Sequence, residues 1–200
     1  MPRLAESRTA LAAALTLAIP LFGCGPSRAQ LAVGEPAPGF ALQDLNGHEV
    51  SLAGLRGRIV VLEWANPNCP FSRGHAERKT MVSTAARHPE VVWLAINSTH
   101  PSHSDHLDPA AYKRFLAEHG IGYPVLLDPT GATGHAYGAR TTPHMFVIDK
   151  DGKVAYQGAI DDDPRGHPSV NYVDAALTAL ETGHAPDPAT TRPYGCSVKY

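Results

Sequence analysis

Cys69 is the residue of this sequence best suited to nucleophilic chemistry. It follows the apolar run 59–65 and precedes a predicted helix, so it lies at a strand-to-helix turn. The N-terminus of a helix has unpaired N–H groups and a partial positive charge, which favour the thiolate, the form that attacks disulfides and peroxides. Pro70 fits the first helical turn, where an N–H would have no helical partner in any case. The alternative is that Cys69 is a buried, inert cysteine, but the turn residues around it favour a reactive cysteine.

Cys24 and Cys196 are the other two cysteines of the chain. Removal of an N-terminal signal peptide, argued below, would leave Cys69 and Cys196 as an even pair, and such a pair can form a disulfide in an exported protein. The tail after Gly183 contains three prolines, so we expect it to be extended rather than a helix or a central strand. Its length of 13 residues up to Cys196 corresponds to about 45 Å, enough to reach any face of a domain of this size.

Strand and helix signals alternate along the chain. Asn46-Gly47 between apolar residues predicts a hairpin, and the apolar runs 59–65 and 91–97 predict central strands buried on both faces. Further helices are predicted over about 72–87, 108–118 and 169–182, and further strands over 125–128, 145–149 and 154–160. Parallel crossovers followed by an antiparallel hairpin imply a mixed sheet with helices on both faces, which is a three-layer α/β fold.

The first 29 residues have the pattern of a secretory signal peptide. A basic start is followed by the apolar run 9–22 and by Ser27-Arg28-Ala29, with small residues at the two positions that a signal peptidase reads. The apolar run is shorter than the about 20 residues that a membrane-spanning helix needs. Residues 21–24 are similar to a lipid-attachment signal, although Phe22 is bulky for that motif. We therefore expect a periplasmic or secreted protein, attached to a membrane only if Cys24 is lipidated.

Composition limits the domain count and the class of partner. With 43% hydrophobic and 18% charged residues, the chain of 200 residues can bury a core of ordinary size. The net charge of −2 comes without a basic block, so nucleic acid is not an expected partner. We predict one domain over residues 30–183, followed by a tail of residues 184–200 that carries Cys196.

Three segments together resemble a known family. They are residues 33–40, the predicted strand 59–65 leading to Cys69-Pro-Phe-Ser72, and residues 141–149 followed by Asp151-Gly152. In this order and spacing the chain resembles the thioredoxin-like superfamily and, within it, the redoxin (AhpC/TSA-like, TlpA-like) family. The resemblance covers about residues 33–182. It implies a thioredoxin-like three-layer α/β/α fold with a central mixed sheet, and thiol redox chemistry.

The resemblance also implies roles for individual residues. Cys69 matches the attacking cysteine of the family's Cys-x-x-Cys site, and Pro143 matches a cis-proline that lies across from it. The Thr142 backbone would then lie beside the sulfur and pair with an incoming peptide, so Thr142, Pro143 and Pro70 are the predicted substrate-binding residues. Glu63 is where the family often has a buried acid, which would have a raised pKa and could accept a proton. A glutamate at the solvent edge of the strand is the open alternative.

One departure from the family pattern concerns the second cysteine. Ser72 replaces it, so Cys69 cannot close the usual local disulfide. We therefore predict an exported thiol oxidoreductase in which Cys69 attacks protein or small-molecule disulfides and Cys196 resolves the product within one chain.

Two alternative functions stay open. A thiol-dependent peroxidase would use Cys69 on peroxides. Peroxiredoxins, however, carry a threonine three residues and a proline seven residues before that cysteine, where this chain has Asn66 and Leu62. They also carry an arginine where this chain has Pro143. A non-catalytic binding module would instead hold a structural Cys69–Cys196 disulfide.

No cofactor or metal is predicted. His100, His103 and His106 are three residues apart and could bind a transition metal, but no cysteine accompanies them, so a solvated loop is favoured. His75 follows Cys69 by six residues on the predicted helix. It could favour the thiolate through its charge, and a surface histidine without a role is the alternative.

Overall fold

The structure, a computed structural model, describes Met1 and residues 31–200. The predicted signal peptide and Cys24 therefore lie outside the described residues, apart from Met1. The strands are β1 (Ala41–Asp44), β2 (Glu49–Ser51), β3 (Val60–Trp64), β4 (Val92–Asn97), β5 (Val125–Leu127), β6 (Thr141–Thr142), β7 (His144–Ile148), β8 (Val154–Gly158) and β9 (Cys196–Ser197). The α-helices are α1 (Pro70–Glu77), α2 (Thr80–Arg87), α3 (Pro109–His119), α4 (Ala132–Tyr137) and α5 (Tyr172–Glu181).

Seven strands form the central sheet in the order β2-β1-β5-β4-β3-β7-β8. The three middle strands β5, β4 and β3 run parallel to one another, whereas β7 and β8 on one side and β1 and β2 on the other are antiparallel to their neighbours. Parallel neighbours require crossover connections, which the helices between the strands supply. The predicted mixed sheet is confirmed.

The strand that leads to Cys69 is buried on both faces. In β3, Val60, Leu62 and Trp64 pack into one apolar core, and Val61 packs into a second core on the other face with residues of α5 such as Leu177. Tyr137 of α4 belongs to the first core, so helices cover both faces of the sheet. The three-layer α/β/α prediction is confirmed, and β3 is a rigid base for the turn that holds Cys69.

The predicted single helix over residues 72–87 is wrong, because two helices occupy this segment. Lys79 has a left-handed backbone (φ 55°), which ends α1, and α2 begins at Thr80. The Thr80 hydroxyl lies 3.2 Å from His75 Nδ1, so a side-chain contact between the two helices stabilises the bend. The sequence analysis also missed α4, a six-residue helix that begins and ends at glycines with a left-handed backbone.

The tail returns from the far edge of the sheet to the region of Cys69. Its Thr190 forms a bridge to Gln157 on the edge strand β8, and its end forms β9, which pairs antiparallel with β6. The Tyr200 hydroxyl donates to the Ala139 carbonyl at 2.7 Å. The tail is thus extended, as predicted, and it takes part in two-stranded pairing outside the central sheet.

Within the described residues, none of the helices has the length and apolar character needed to cross a membrane.

Candidate active site

Cys69 occupies the turn between β3 and α1, where it is the N-cap residue of the helix and Pro70 is its first residue. The turn is fixed by Asn66, whose backbone carbonyl accepts from Cys69 N–H at 3.0 Å and whose side-chain oxygen accepts from Asn68 N–H at 2.8 Å. Asn66 itself is buried and donates to Thr99 Oγ1 at 2.9 Å. The cysteine is therefore held by a hydrogen-bonded turn rather than by a flexible loop.

The sulfur of Cys69 lies against the residue that precedes Pro143. Cys69 Sγ donates to the Thr142 carbonyl at 2.8 Å, and the Thr142–Pro143 peptide bond is cis. Thr142 and Cys69 are both buried, with Cys69 only 2% exposed. The structure thus brings together Cys69, Thr142 and Pro143, as the family resemblance implies.

Cys196 completes this group from the C-terminal tail. In the β6–β9 pair, Cys196 lies directly opposite Thr142, and the two cysteines are free thiols that influence each other's pKa. Gly195 lies so close to Thr142 that a Cβ there would overlap the Thr142 carbonyl, and its φ of +135° is one that other residues rarely adopt. A glycine is therefore required for β9 to approach Cys69 this closely.

The two thiols differ in their acidity. Burial raises the pKa of Cys69, but hydrogen bonds from the Thr142 side chain, the Ser72 N–H at the start of α1 and Cys196 together lower this pKa below its ordinary value. Burial, the hydrogen bond to Cys69 and the Cys69 charge raise the pKa of Cys196 to about 11. In the reduced protein Cys69 is therefore the thiol that ionises first, and Cys196 keeps its proton to a higher pH.

Glu63 lies in the interior rather than at the solvent edge of β3. Its Oε2 accepts from Trp93 Nε1 at 3.1 Å and from the Tyr123 hydroxyl at 2.9 Å. Burial raises the pKa of Glu63, and these two hydrogen bonds only partly oppose the rise. Glu63 lines a small cavity of about 20 Å³, which has room for about one water molecule.

The same cavity is lined by Ser72, whose buried Oγ has no hydrogen-bond partner among the described residues. Cys69 does not line this cavity, and the hydrogen bonds of the Glu63 side chain go to Trp93 and Tyr123. The structure therefore does not bring Glu63 into the Cys69 group, although one water would fit in the cavity beside it.

His75 differs from both predictions made for it. It is only 1% exposed, so it is not a surface histidine. Burial and the nearby Arg78 lower the pKa of His75 to about 4, so it is neutral near pH 7 and cannot favour the Cys69 thiolate through a charge. Its Nε2 lies 2.9 Å from the hydroxyl of Tyr194, which in turn donates to Asp161. This buried group links α1 to the tail, and the sequence analysis missed it.

Pro70 and the neighbouring Phe71 are exposed on the surface beside Cys69. In the polar loop, His103 Nδ1 lies 3.9 Å from Asp105 Oδ2. Among the described residues, the structure contains no cluster of three or more histidine, cysteine or acidic side chains placed to hold a metal ion.

Comparison with known proteins identifies a matching family model and relatives named as thiol-disulfide oxidoreductases. A family model described as the AhpC/TSA family matches residues 33–157, a segment that contains Cys69 and Pro143 but ends before the tail. A protein of Geobacillus kaustophilus (strain HTA426) named thiol-disulfide oxidoreductase ResA is 30% identical over 124 residues, which are 62% of this chain and 67% of that protein.

Solved structures share the fold. A crystal structure of an uncharacterized conserved protein from Geobacillus kaustophilus has a TM-score of 0.77 and 28% identity, covering 86% of this chain and 94% of its own. A crystal structure from Chlorobium tepidum, described as a thiol:disulfide interchange protein DsbE, has a TM-score of 0.54 and 28% identity, covering 64% of this chain and 85% of its own.

Proposed function

Because this chain belongs to the AhpC/TSA family and is a thioredoxin-fold oxidoreductase, we propose that it catalyses thiol–disulfide exchange with Cys69 as nucleophile and Cys196 as resolving thiol. One observation carries this proposal: Cys69, at a helix N-terminus and with a lowered pKa, and Cys196, with a raised pKa, both lie against Thr142. This difference in pKa suits Cys69 to attack the substrate disulfide first and Cys196 to attack the mixed disulfide second.

The reaction proceeds in two exchanges. The Cys69 thiolate attacks a disulfide R–S–S–R′, so that a Cys69–S–S–R bond forms and R′–S⁻ leaves with a proton from solvent. Cys196 then loses its proton and attacks Cys69 Sγ, which forms the Cys69–Cys196 disulfide and releases R–S⁻, which takes up a proton. The substrate gains two electrons and the protein loses two, and an external dithiol returns the protein to its reduced form by the reverse steps.

Glu63 is proposed to manage a proton in this cycle. A buried carboxyl with a raised pKa accepts a proton at a higher pH than an exposed carboxyl does, and the cavity that it shares with Ser72 has space for one water. Because Glu63 does not touch Cys69, this role runs through water and adjusts the rate rather than making the sulfur reactive.

The substrate-binding roles of Thr142, Pro143 and Pro70 are part of the same proposal. Thr142 and Pro143 border the Cys69 sulfur, and Pro70 is exposed beside it. The proposed substrates are protein or small-molecule disulfides. We also propose that the protein is exported to the periplasm or secreted after cleavage behind Ala29, a state in which Cys69 and Cys196 are its remaining cysteines.

Single-cysteine variants test the proposal. Cys69→Ser is expected to abolish reduction of a model disulfide, and Cys196→Ser is expected to stop at the mixed disulfide, which mass spectrometry detects. Peptide mapping of the oxidised protein should show Cys69 linked to Cys196. Fast consumption of hydrogen peroxide with slow disulfide exchange would favour the peroxidase, and neither activity would favour the binding module.

The reduction potential separates a catalytic disulfide from a structural one. A Cys69–Cys196 disulfide whose reduction potential lies below about −300 mV would be structural rather than catalytic.

A further inference from the structure

Tyr194 connects the tail that carries Cys196 to α1, the helix that directly follows Cys69. Its ring packs against the rings of Phe71 and His75 of α1, with ring centroids 6.0 Å and 5.9 Å apart. Only Gly195 separates Tyr194 from Cys196. The tail is therefore held against α1 immediately before its cysteine.

The Tyr194 hydroxyl takes part in a chain of hydrogen bonds whose direction can be worked out. It donates to Asp161 Oδ1, because an ionised carboxylate can only accept, and it therefore accepts from His75 Nε2–H at 2.9 Å. This tautomer leaves His75 Nδ1 as an acceptor, and the Thr80 hydroxyl at 3.2 Å can donate to it. The chain thus runs from Thr80 through His75 and Tyr194 to Asp161, and every proton in it has an acceptor.

This chain is buried, which makes it a strong positional constraint. His75 is 1% exposed and Asp161 is 2% exposed. Buried polar groups are costly to leave without partners, so a displaced Tyr194 would leave His75 Nε2 without its acceptor and Asp161 with the Asp163 N–H at 3.3 Å but without the Tyr194 hydroxyl. The neutral state of His75, whose pKa is lowered to about 4 by burial and by Arg78, supplies the single Nε2–H that the chain requires.

We propose that Tyr194 is a positioning residue for the attack of Cys196 on Cys69, because its hydrogen bonds to His75 and Asp161 fix the tail in the register that places the two sulfurs together. The inference rests on the proposed function, in which Cys196 Sγ bonds to Cys69 Sγ while the substrate thiolate leaves. That displacement depends on the alignment of the attacking sulfur with the breaking bond. A tail without its Tyr194 anchor spends less time in the aligned position.

The two exchanges can be followed separately with dithiobis(nitrobenzoic acid), a symmetrical disulfide that releases one coloured thiolate at each step. Attack by Cys69 releases the first equivalent, and attack by Cys196 releases the second. Tyr194→Phe keeps the ring and removes the hydroxyl. In stopped-flow experiments on the full chain, we expect its second phase to be slower by roughly tenfold, from the loss of hydrogen bonds to buried groups, with a first phase within about twofold of wild type.

A matched control removes another tyrosine hydroxyl from the interior. Tyr137→Phe deletes the bond from the Tyr137 hydroxyl to the Pro38 carbonyl, which is 2.8 Å long and involves no residue of the tail, and is expected to leave both phases unchanged. Asp161→Asn replaces the charged acceptor of the Tyr194 hydroxyl by a neutral one, so it should slow the second phase by a smaller factor than Tyr194→Phe.

The outcomes separate this inference from the function on which it rests. An unchanged second phase in both Tyr194→Phe and Asp161→Asn would overturn the role of Tyr194, and so would equal slowing in Tyr137→Phe, since that would reflect a general loss of stability. Release of a single equivalent by the wild-type protein would overturn both proposals. Two equivalents from the wild-type protein, with no nitrothiobenzoate left on its product by mass spectrometry, and one equivalent from Cys196→Ser would uphold the resolving role whatever the result for Tyr194.

Discussion

Thr142 and Cys196 lie directly opposite each other in the β6–β9 pair, and the Thr142 carbonyl oxygen is also 2.8 Å from Cys69 Sγ. One residue of β6 thus contacts both cysteines. The relative position of the two sulfurs is set by this backbone pairing, so changes to the pairing should change their chemistry.

The first prediction concerns the acidity of Cys69. Its pKa lies below the ordinary value partly because Cys196 donates a hydrogen bond to it. Cys196→Ala removes the side-chain donor and should raise the Cys69 pKa, whereas Cys196→Ser keeps an O–H donor and should leave it closer to wild type. The pH dependence of iodoacetamide labelling measures this pKa. A midpoint at or above that of a free thiol, about 8.5, in the wild-type protein would contradict the prediction.

The second prediction concerns Glu63 and stability. Burial raises the pKa of Glu63, so the folded state holds its proton more tightly than the unfolded state does. The charge therefore destabilises the fold above the folded-state pKa, and this penalty disappears as the pH falls below the unfolded value of about 4.5.

Glu63→Gln is consequently expected to stabilise the protein increasingly as the pH rises above that value, with a slope of up to about 1.4 kcal/mol per pH unit. One oxygen accepts from both Trp93 and Tyr123, so a glutamine oxygen can replace it. Urea unfolding at several pH values measures the difference. Equal stability of the two proteins at every pH would show that Glu63 does not titrate in this range. If Glu63 also manages a proton, the pH–rate profile of the exchange should change in the same variant.

The third prediction concerns His144, which follows Pro143. Burial and the nearby Arg140 lower the pKa of His144 to about 3. A histidine with a lowered folded-state pKa binds its proton more readily when unfolded, so the fold loses stability as the pH falls from about 6.5 towards 3.

His144→Asn should remove up to about 1.4 kcal/mol per pH unit of this dependence, because asparagine does not titrate. Its side-chain oxygen can accept from Arg140 N–H, as His144 Nδ1 does at 3.3 Å. The free energy of unfolding, measured from pH 7 to pH 4 for both proteins, gives the two slopes. Identical slopes would mean that His144 is not buried as the structure has it.

The fourth prediction uses two glycines with left-handed backbones. Gly195→Ala would place a Cβ on the Thr142 carbonyl, whereas Gly183→Ala, at φ +81°, would meet no atom of residues 31–200 within 4 Å. Both variants carry a backbone penalty of about 1 kcal/mol, and only Gly195→Ala should push β9 away from β6. We expect that variant to close the Cys69–Cys196 disulfide more slowly, by tenfold or more, and to expose Cys69 to alkylation. Equal behaviour of the two variants would contradict a close β9–β6 contact.

The local features of the sequence predicted the position of Cys69 well. The apolar run before it can only be a strand buried on both faces, and Pro70 starts the helix that follows, so Cys69 falls at the turn. The sequence does not decide whether Glu63 is buried or lies at the solvent edge of the strand, because a single charged residue near the end of an apolar run is compatible with both positions. Hydrogen bonds from Trp93 and Tyr123 hold Glu63 in the interior, and both of these residues come from other segments of the chain.

The contacts between the tail and α1 could not be predicted from local patterns. His75 and Tyr194 are 119 residues apart, and no periodicity connects them. The tail is long enough to reach any face, so its length permits contact with Cys69 without selecting it. The break at Lys79 was missed for a similar reason, since a residue with side-chain carbons rarely adopts a left-handed backbone and no glycine or proline marked the position.

The pairing of β9 with β6 has a consequence for selectivity. The backbone edge of Thr142 cannot serve the tail and an external peptide at the same time, so a peptide that pairs there must compete with a strand tethered to the same molecule. A short tether gives the tail an effective concentration on the order of millimolar. An extended polypeptide that pairs with Thr142 must displace the tail, whereas a disulfide too small to pair with Thr142 does not have to displace it. If peptide substrates pair with Thr142 as proposed, the tail acts as a size filter at the entrance to the site, and its strength depends on the residues that hold the tail in place.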